Sequence, residues 1–248
     1  VTAIGLDDAG HKRFLGVDCV DTESYDGWRG FLSDLRSRGV AAGEDGVQLV
    51  VSDAHEGLRR AIAESFQGAA WQRCITHLMR NVAGHIRRKG DQRVAREAMR
   101  AAFAQKSPLV ARACYQRAAE EVARLSPAAG RVMMEAEEEA LAYLAFPVSH
   151  RAKIRTNNVQ ERANREIKRR TNVVQGFPSR ESLIRLVGAA LIEADQEWSA
   201  RCVISRPSLA HAWRRPEAPA PSEESVLAAR QAADRIISAA VDLGGEQG

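Results

Sequence analysis

Residues 155–170, RTNNVQERANREIKRR, set the Glu161 carboxylate among asparagine, arginine and lysine side chains. A helix starting near Asn158 stacks Glu161, Arg165 and Lys168 on one face, because side chains about four and seven positions apart lie above one another. Val159, Ala163 and Ile167 fall on a second, apolar stripe. One side can then pack on a core while the other presents a carboxylate among cations. That arrangement suits a divalent metal ion held beside a phosphate backbone. The same residues also spell a capping box, Asn158-x-x-Glu161, in which the glutamate reaches back to the N-cap backbone. The stretch by itself leaves both uses open.

A second carboxylate, Asp53, follows the compact apolar run GVQLVVS at 46–52, which has strand length. In open α/β sheets ligands gather at the carboxyl ends of strands, and an acid there can hold a metal. Asp53 could equally cap a helix beginning near His55. Cys74-x-x-His77 has the spacing of half a zinc site, yet no second pair stands at a workable distance, so these two fit a structural role as well. His55, His85 and His150 read as surface or packing residues. There is no Gly-x-Ser-x-Gly, no Gly-x-x-x-x-Gly-Lys and no Gly-x-Gly-x-x-Gly. Hydrolase-elbow, nucleotide-hydrolase and dinucleotide readings therefore lack support.

The elements that must position these groups follow from periodicity. Residues 1–6 and 12–20 read as two strands around a turn at Asp7-Asp8-Ala9-Gly10. Thr22 or Ser24 can cap a helix reaching about Arg38, with Trp28, Phe31, Leu32 and Leu35 as its apolar stripe. A helix with Leu58, Ile62 and Phe66 on one face and a short strand over 69–75 come next. Strands alternating with helices point to an α/β sheet. From 78 to 144 only helical periodicity remains, broken at Gly90, Ser107-Pro108 and Ser126-Pro127. Ser179 can cap a helix with Leu183, Val187 and Leu191 inward, 207–222 reads as a loose proline-rich connection, and 224–241 as a last helix. The expected division is 1–77 and 151–206 as two parts of one core, 78–150 as an all-helical insertion, and 207–248 as connection plus C-terminal helix.

The 248 residues are 45% hydrophobic and 27% charged, ordinary for a globular chain. The excess of cations is only +4, but it is clustered: 80–100 and 151–170 are basic, whereas 135–139 is acidic. Such clusters are electrostatic footprints, or the solvated faces of helices. The four cysteines, 19, 74, 114 and 202, are widely spaced and suggest no disulfide framework. No apolar run approaches the ~20 residues that span a bilayer, and no signal peptide is evident, so a cytoplasmic protein is expected.

Taken together, the segments VSDAHEGL at 51–58, Gln72-Arg73-Cys74-x-x-His77-x-x-Arg80-Asn81, the run from Arg155 through Glu161 to Thr171, and Val173-Val174-x-Gly176-Phe177-Pro178 resemble the bacterial Mutator-type insertion-sequence transposases. Leu15-Gly16 and the stretch from Trp28 to Gly39 fit as well, so the resemblance runs to about Trp213. It implies an α/β fold of RNase H-like type, a mixed sheet with an all-helical insertion between the second and third acids of an Asp-Asp-Glu triad. It implies that Asp53 and Glu161 are the second and third catalytic acids and ligands of Mg²⁺ or Mn²⁺. Cys74 and His77 correspond to a cysteine–histidine signature near the active site. Arg162, Arg165, Lys168, Arg169 and Arg170 then meet DNA phosphates. The implied activity is metal-dependent DNA strand cleavage and transfer, by a homo-oligomer assembled on transposon ends and target and associated with the nucleoid.

One departure stands out. The family's first catalytic Asp lies upstream of the segment matching residues 1–5, and Asp7, Asp8, Asp18 and Asp21 do not take its place in chain order. The first strand and an N-terminal DNA-binding region are likewise expected ahead of Val1. An N-terminally truncated transposase is the resulting expectation, and a non-catalytic DNA-binding or partner-binding remnant is the alternative.

Overall fold

Gly10 decides where the chain first reverses. Its φ is 85°, a left-handed value open to glycine and costly for other residues. Its carbonyl accepts the Val203 N–H at 2.8 Å and the Ile204 N–H at 3.3 Å. A Cβ placed here would stand 1.6 Å from the Ile204 carbonyl oxygen. In the computed structural model, which describes residues 1–20, 22–174, 176–213 and 220–246, this turn joins β1 (Thr2–Leu6) to β2 (Lys12–Val17) as an antiparallel pair. Asp21, by contrast, lies outside the described residues.

The remaining elements follow in order. Helix α1 (Tyr25–Ser37) is capped by the Ser24 hydroxyl, which accepts the Gly27 N–H. Then come β3 (Leu49–Ser52), α2 (Glu56–Ser65) and β4 (Ala70–Arg73). Five helices succeed them: α3 (Ile75–Gly84), α4 (Lys89–Phe103), α5 (Pro108–Leu125), α6 (Pro127–Glu135) and α7 (Glu137–Leu141). A 3₁₀ turn (Ala142–Ala145) leads to α8 (Val148–Ile154), α9 (Asn158–Thr171), α10 (Arg180–Ser199), α11 (Arg206–Trp213) and α12 (Glu223–Glu246). No described helix is long and apolar enough to cross a membrane.

The chain folds as two units, residues 1–71 with 156–215 and residues 72–155 with 216–248. In the first, α1 and α2 form an apolar layer of Phe31, Leu32, Leu35, Leu58, Ile62 and Phe66. Ala3 and Leu15 of the first strand pair rest on this layer, and so do Val50 and Trp71 of the second. The two pairs do not join: β1 bonds to β2 and β3 to β4. The single mixed sheet expected from the sequence is therefore not formed. None of the described strands bonds to both pairs. Helix α10 covers β2, with Trp198 stacked on Phe14 at 4.6 Å and the Asp195 carboxylate accepting the Phe14 N–H at 2.8 Å. Helix α9 meets β1 through Gln160 and Asn164, which bond the Thr2 hydroxyl.

The second unit is built of helices whose contact faces are rich in alanine. Ala95, Ala98, Met99 and Ala102 of α4 and Ala111, Cys114, Tyr115, Ala118 and Val122 of α5 share one core with Ala229, Ala233 and Ile237 of α12. Small side chains let these helices approach closely, which suits a chain with only 5% aromatics. Fully buried Gln72 ties the 3₁₀ turn to the start of the unit. Its amide donates to the Ala140 carbonyl at 2.9 Å and the Arg73 carbonyl at 2.6 Å, and its oxygen accepts the Tyr143 N–H at 2.7 Å.

Two local expectations are corrected. The helix break assigned to Gly90 falls instead at 85–88, and Gly90 sits in the first turn of α4. The stretch from 207, read as loose, begins inside α11, whose second residue is Pro207. Proline is tolerated there because its missing N–H falls where none is needed. Residues 214–219 of that connection lie outside the described residues.

Candidate functional site

Asp53 is the first residue beyond β3 and is exposed. The adjacent helix α2 is capped by His55, whose Nδ1 accepts the Leu58 N–H at 3.3 Å. Asp53 is thus not the N-cap, and its carboxylate has no hydrogen bond or ion pair among the described residues. Its backbone is held: the Ser52 hydroxyl donates to the Asp53 carbonyl at 2.9 Å and accepts the Trp71 indole N–H at 2.9 Å.

Glu161 belongs to the same unit. The N-cap of α9 is Asn157, its side chain makes no cap bond, and Asn158 is the first helical residue. Glu161 is then the fourth helical residue, one position past the capping-box spacing. Its N–H donates to the Asn157 carbonyl at 3.0 Å, and the residue is half-buried. Ala163 is buried, with Val159 and Ile167 half-buried beside it, while Arg165 and Lys168 are exposed.

The cations of α9 divide into two groups. Arg162, Arg165 and Lys168 recur every three residues, are exposed, and form no ion pair among the described residues. Arg169 instead donates two bonds to Glu166, at 2.9 and 2.7 Å. Arg170 pairs with Glu166 at 2.9 Å and with Glu193 at 2.8 Å. The Arg169 guanidinium, then that of Arg170, holds the Glu166 carboxyl down to about 2. Glu166 was not among the expected site residues, although its i+3 and i+4 spacing to Arg169 and Arg170 is the standard signal for such pairs.

Other basic residues serve the fold. In the second unit, Arg151 donates to the Phe146 carbonyl at 2.8 Å, the Leu144 carbonyl at 2.7 Å and the Lys106 carbonyl at 2.6 Å. Arg155 donates to the Phe103 carbonyl. Cys74 is also in this unit, fully buried at the N-cap of α3 and outside any disulfide, and His77 lies half-buried in the first turn of that helix.

Asp53 and Glu161 are hard oxygen donors of the kind that Mg²⁺ or Mn²⁺ accepts. Among the described residues, however, no group of three or more His, Cys, Asp or Glu is gathered to hold a metal ion. The two acids fit part of a donor set and do not complete one.

The family model described as "Transposase, Mutator family" matches residues 1–201. The chain belongs to this family. The matched stretch contains Asp53, Cys74, His77, Glu161 and all of α9, and it ends before α12. Over 196 residues, 79% of the chain, it is 39% identical to the transposase for insertion sequence element IS1081 of Mycobacterium tuberculosis, covering 46% of that protein. It is 35% identical to the transposase for IS406 of Burkholderia multivorans, covering 50% of it. With the transposase for IS256 in transposon Tn4001 of Staphylococcus aureus the identity is 33% over 199 residues and 49% of that protein. The chain thus spans about half the length of the curated relatives it matches.

Proposed function

We propose that the first unit carries two of the three carboxylates of a DNA-cleaving and strand-transferring transposase, Asp53 and Glu161, in an RNase H-like arrangement. The observation that supports this most is the Asp53 carboxylate. It stands at the end of a strand, exposed and unpaired among the described residues, because His55 does the capping. A carboxylate left outside the local hydrogen bonding is available to a ligand. When bound, Mg²⁺ or Mn²⁺ supplies Lewis-acid polarisation of a phosphoryl oxygen and acidifies a coordinated hydroxyl. Asp53 and Glu161 would hold it. Arg162, next to Glu161, with Arg165 and Lys168, one and two turns further along, anchor the phosphate backbone so that the strand lies against the same helix.

The remaining carboxylate, the first of the triad in chain order, is assigned to a strand preceding Val1, bonded between β1 and β3. In support, both strand pairs rest on one apolar layer, yet each keeps an edge with no strand partner among the described residues. Two transposon ends require processing, which favours a homo-oligomer on DNA, acting in the bacterial cytoplasm.

The test is a chain extended upstream by an Asp-bearing strand and assayed for Mg²⁺-dependent cutting of a plasmid carrying the element ends. Asp53→Asn and Glu161→Gln each abolish cutting. Cleavage that survives both substitutions would sink the assignment. A second reading, a DNA-binding remnant without catalysis, is favoured by the lack of a three-donor group among the described residues. It predicts salt-sensitive, Mg²⁺-independent DNA binding and no cutting by the extended chain.

A further inference from the structure

The second unit has a charged corner that the proposed catalysis leaves unused. Between His85 and Arg96 stand five cations, Arg87, Arg88, Lys89, Arg93 and Arg96, against one acid, Asp91. Arg93 and Arg96 turn inward, to the Gly244 carbonyl at 2.7 Å and the Gln92 side chain at 3.5 Å. The side chains of Arg87, Arg88 and Lys89 are exposed and have no hydrogen-bonding or ionic partner among the described residues. They therefore do nothing for the packing of this unit.

The backbone beneath them is pinned. Ile86 is buried, the Ser126 hydroxyl donates to the His85 carbonyl at 2.9 Å, and the Gln92 amide donates to the Ile86 carbonyl at 2.8 Å. The Arg88 carbonyl accepts the Gln92 N–H at 3.0 Å. A loop tied at three successive points presents its side chains with little ordering left to do on binding. The charges also repel one another, and Arg88 occupies the N-cap of α4, at the positive end of the helix dipole, where anionic or neutral hydrogen-bonding residues stabilise. A polyanion relieves that repulsion.

We infer that the α3–α4 loop, residues 85–88, together with Lys89 at the start of α4, is a second surface for the phosphate backbone of duplex DNA, separate from the cation row on α9. The inference rests on the DNA reading above. Contacts from Arg and Lys to phosphate are independent of base sequence, so this surface adds affinity and position, not specificity.

The experiment measures binding of the full 248-residue chain to a 30-base-pair duplex by fluorescence anisotropy across a KCl series. In Arg87→Ala/Arg88→Ala/Lys89→Ala, the slope of log K against log salt becomes shallower by about 2–3, and affinity at 0.1 M salt falls about 100-fold. Arg87→Lys/Arg88→Lys keeps the slope, since charge and not shape carries the contact. Far-ultraviolet circular dichroism verifies that the helices are intact. An unchanged slope in the folded triple variant overturns the inference. If Arg162→Ala/Arg165→Ala/Lys168→Ala weakens binding while the loop variant does not, the loop inference alone fails. If the unaltered chain does not bind duplex, the DNA reading fails with it. Loss of binding to phosphatidylserine vesicles, with duplex binding untouched, would also overturn it.

Discussion

Glu166 neutralises part of the basic helix, so replacing it has a calculable effect. Arg169 donates both of its bonds to Glu166, whereas Arg170 is shared between Glu166 and Glu193. Glu166→Gln therefore releases Arg169 and leaves Arg170 held by Glu193. One new phosphate contact steepens the salt dependence of DNA binding by about 0.9 and raises affinity at 0.1 M salt about 5–10-fold. Fluorescence anisotropy with duplex DNA over a KCl series reads both quantities. Glu166→Gln/Arg169→Ala returns the slope to its starting value. The pH dependence has a definite sign. The carboxyl is lowered from its ordinary 4.5 to about 2, so the pair's contribution is complete above 4.5 and is lost as pH falls through about 2. Wild-type binding gains nothing from Glu166 as pH drops from 8 to 4.5, and the ¹³C carboxyl shift of Glu166 stays that of an ionised group. A Glu166→Gln protein with unchanged affinity and slope would refute the claim that Glu166 withholds Arg169 from phosphate.

Other outcomes follow from burial and bonding. Gln72→Leu removes the partners of the Arg73 and Ala140 carbonyls and the Tyr143 N–H inside a fully buried site. Orphaned buried groups cost about 1–3 kcal/mol each, so urea unfolding of the second unit loses about 3 kcal/mol or more. Ile237→Ala opens a cavity at a fully buried position of α12 and lowers stability by about 2–5 kcal/mol in the same assay. A loss below about 1 kcal/mol would mean that α12 does not share this core. Removing divalent metal with EDTA leaves duplex binding by the 248-residue chain unchanged, because Arg162, Arg165 and Lys168 need no metal to meet phosphate. EDTA-sensitive binding would shift the affinity to Asp53 and Glu161.

Much of the local structure was legible because its causes are local. Ser24 caps α1, Gly10 closes the first hairpin, and the Ala163 stripe of α9 turns inward as its spacing requires. The candidate acids were legible as residues but ambiguous in use. Asp53 was the cap that the sequence offered for α2, and His55 read as a surface or packing residue. Backbone geometry chose His55, whose ring reaches the Leu58 N–H. Glu161 could serve as cap or ligand by its sequence, and the helix, beginning at Asn158, put it one residue beyond the capping-box position.

Chemical types and their spacing are written in the chain itself: a strand-end acid, an acid on a basic helix, and a run of alanine-rich helices between them. Which charges remain for a partner depends on pairing in the folded chain, some of it local and some of it between distant segments. Arg151 and Arg155 clip carbonyls, Arg169 and Arg170 answer Glu166, and Arg162, Arg165, Lys168, Arg87, Arg88 and Lys89 form no ion pairs among the described residues. Formal charge is counted along the chain. Its availability depends on acceptors within hydrogen-bond reach, and distant segments such as residues 103, 106 and 193 supply those acceptors only once the chain has folded.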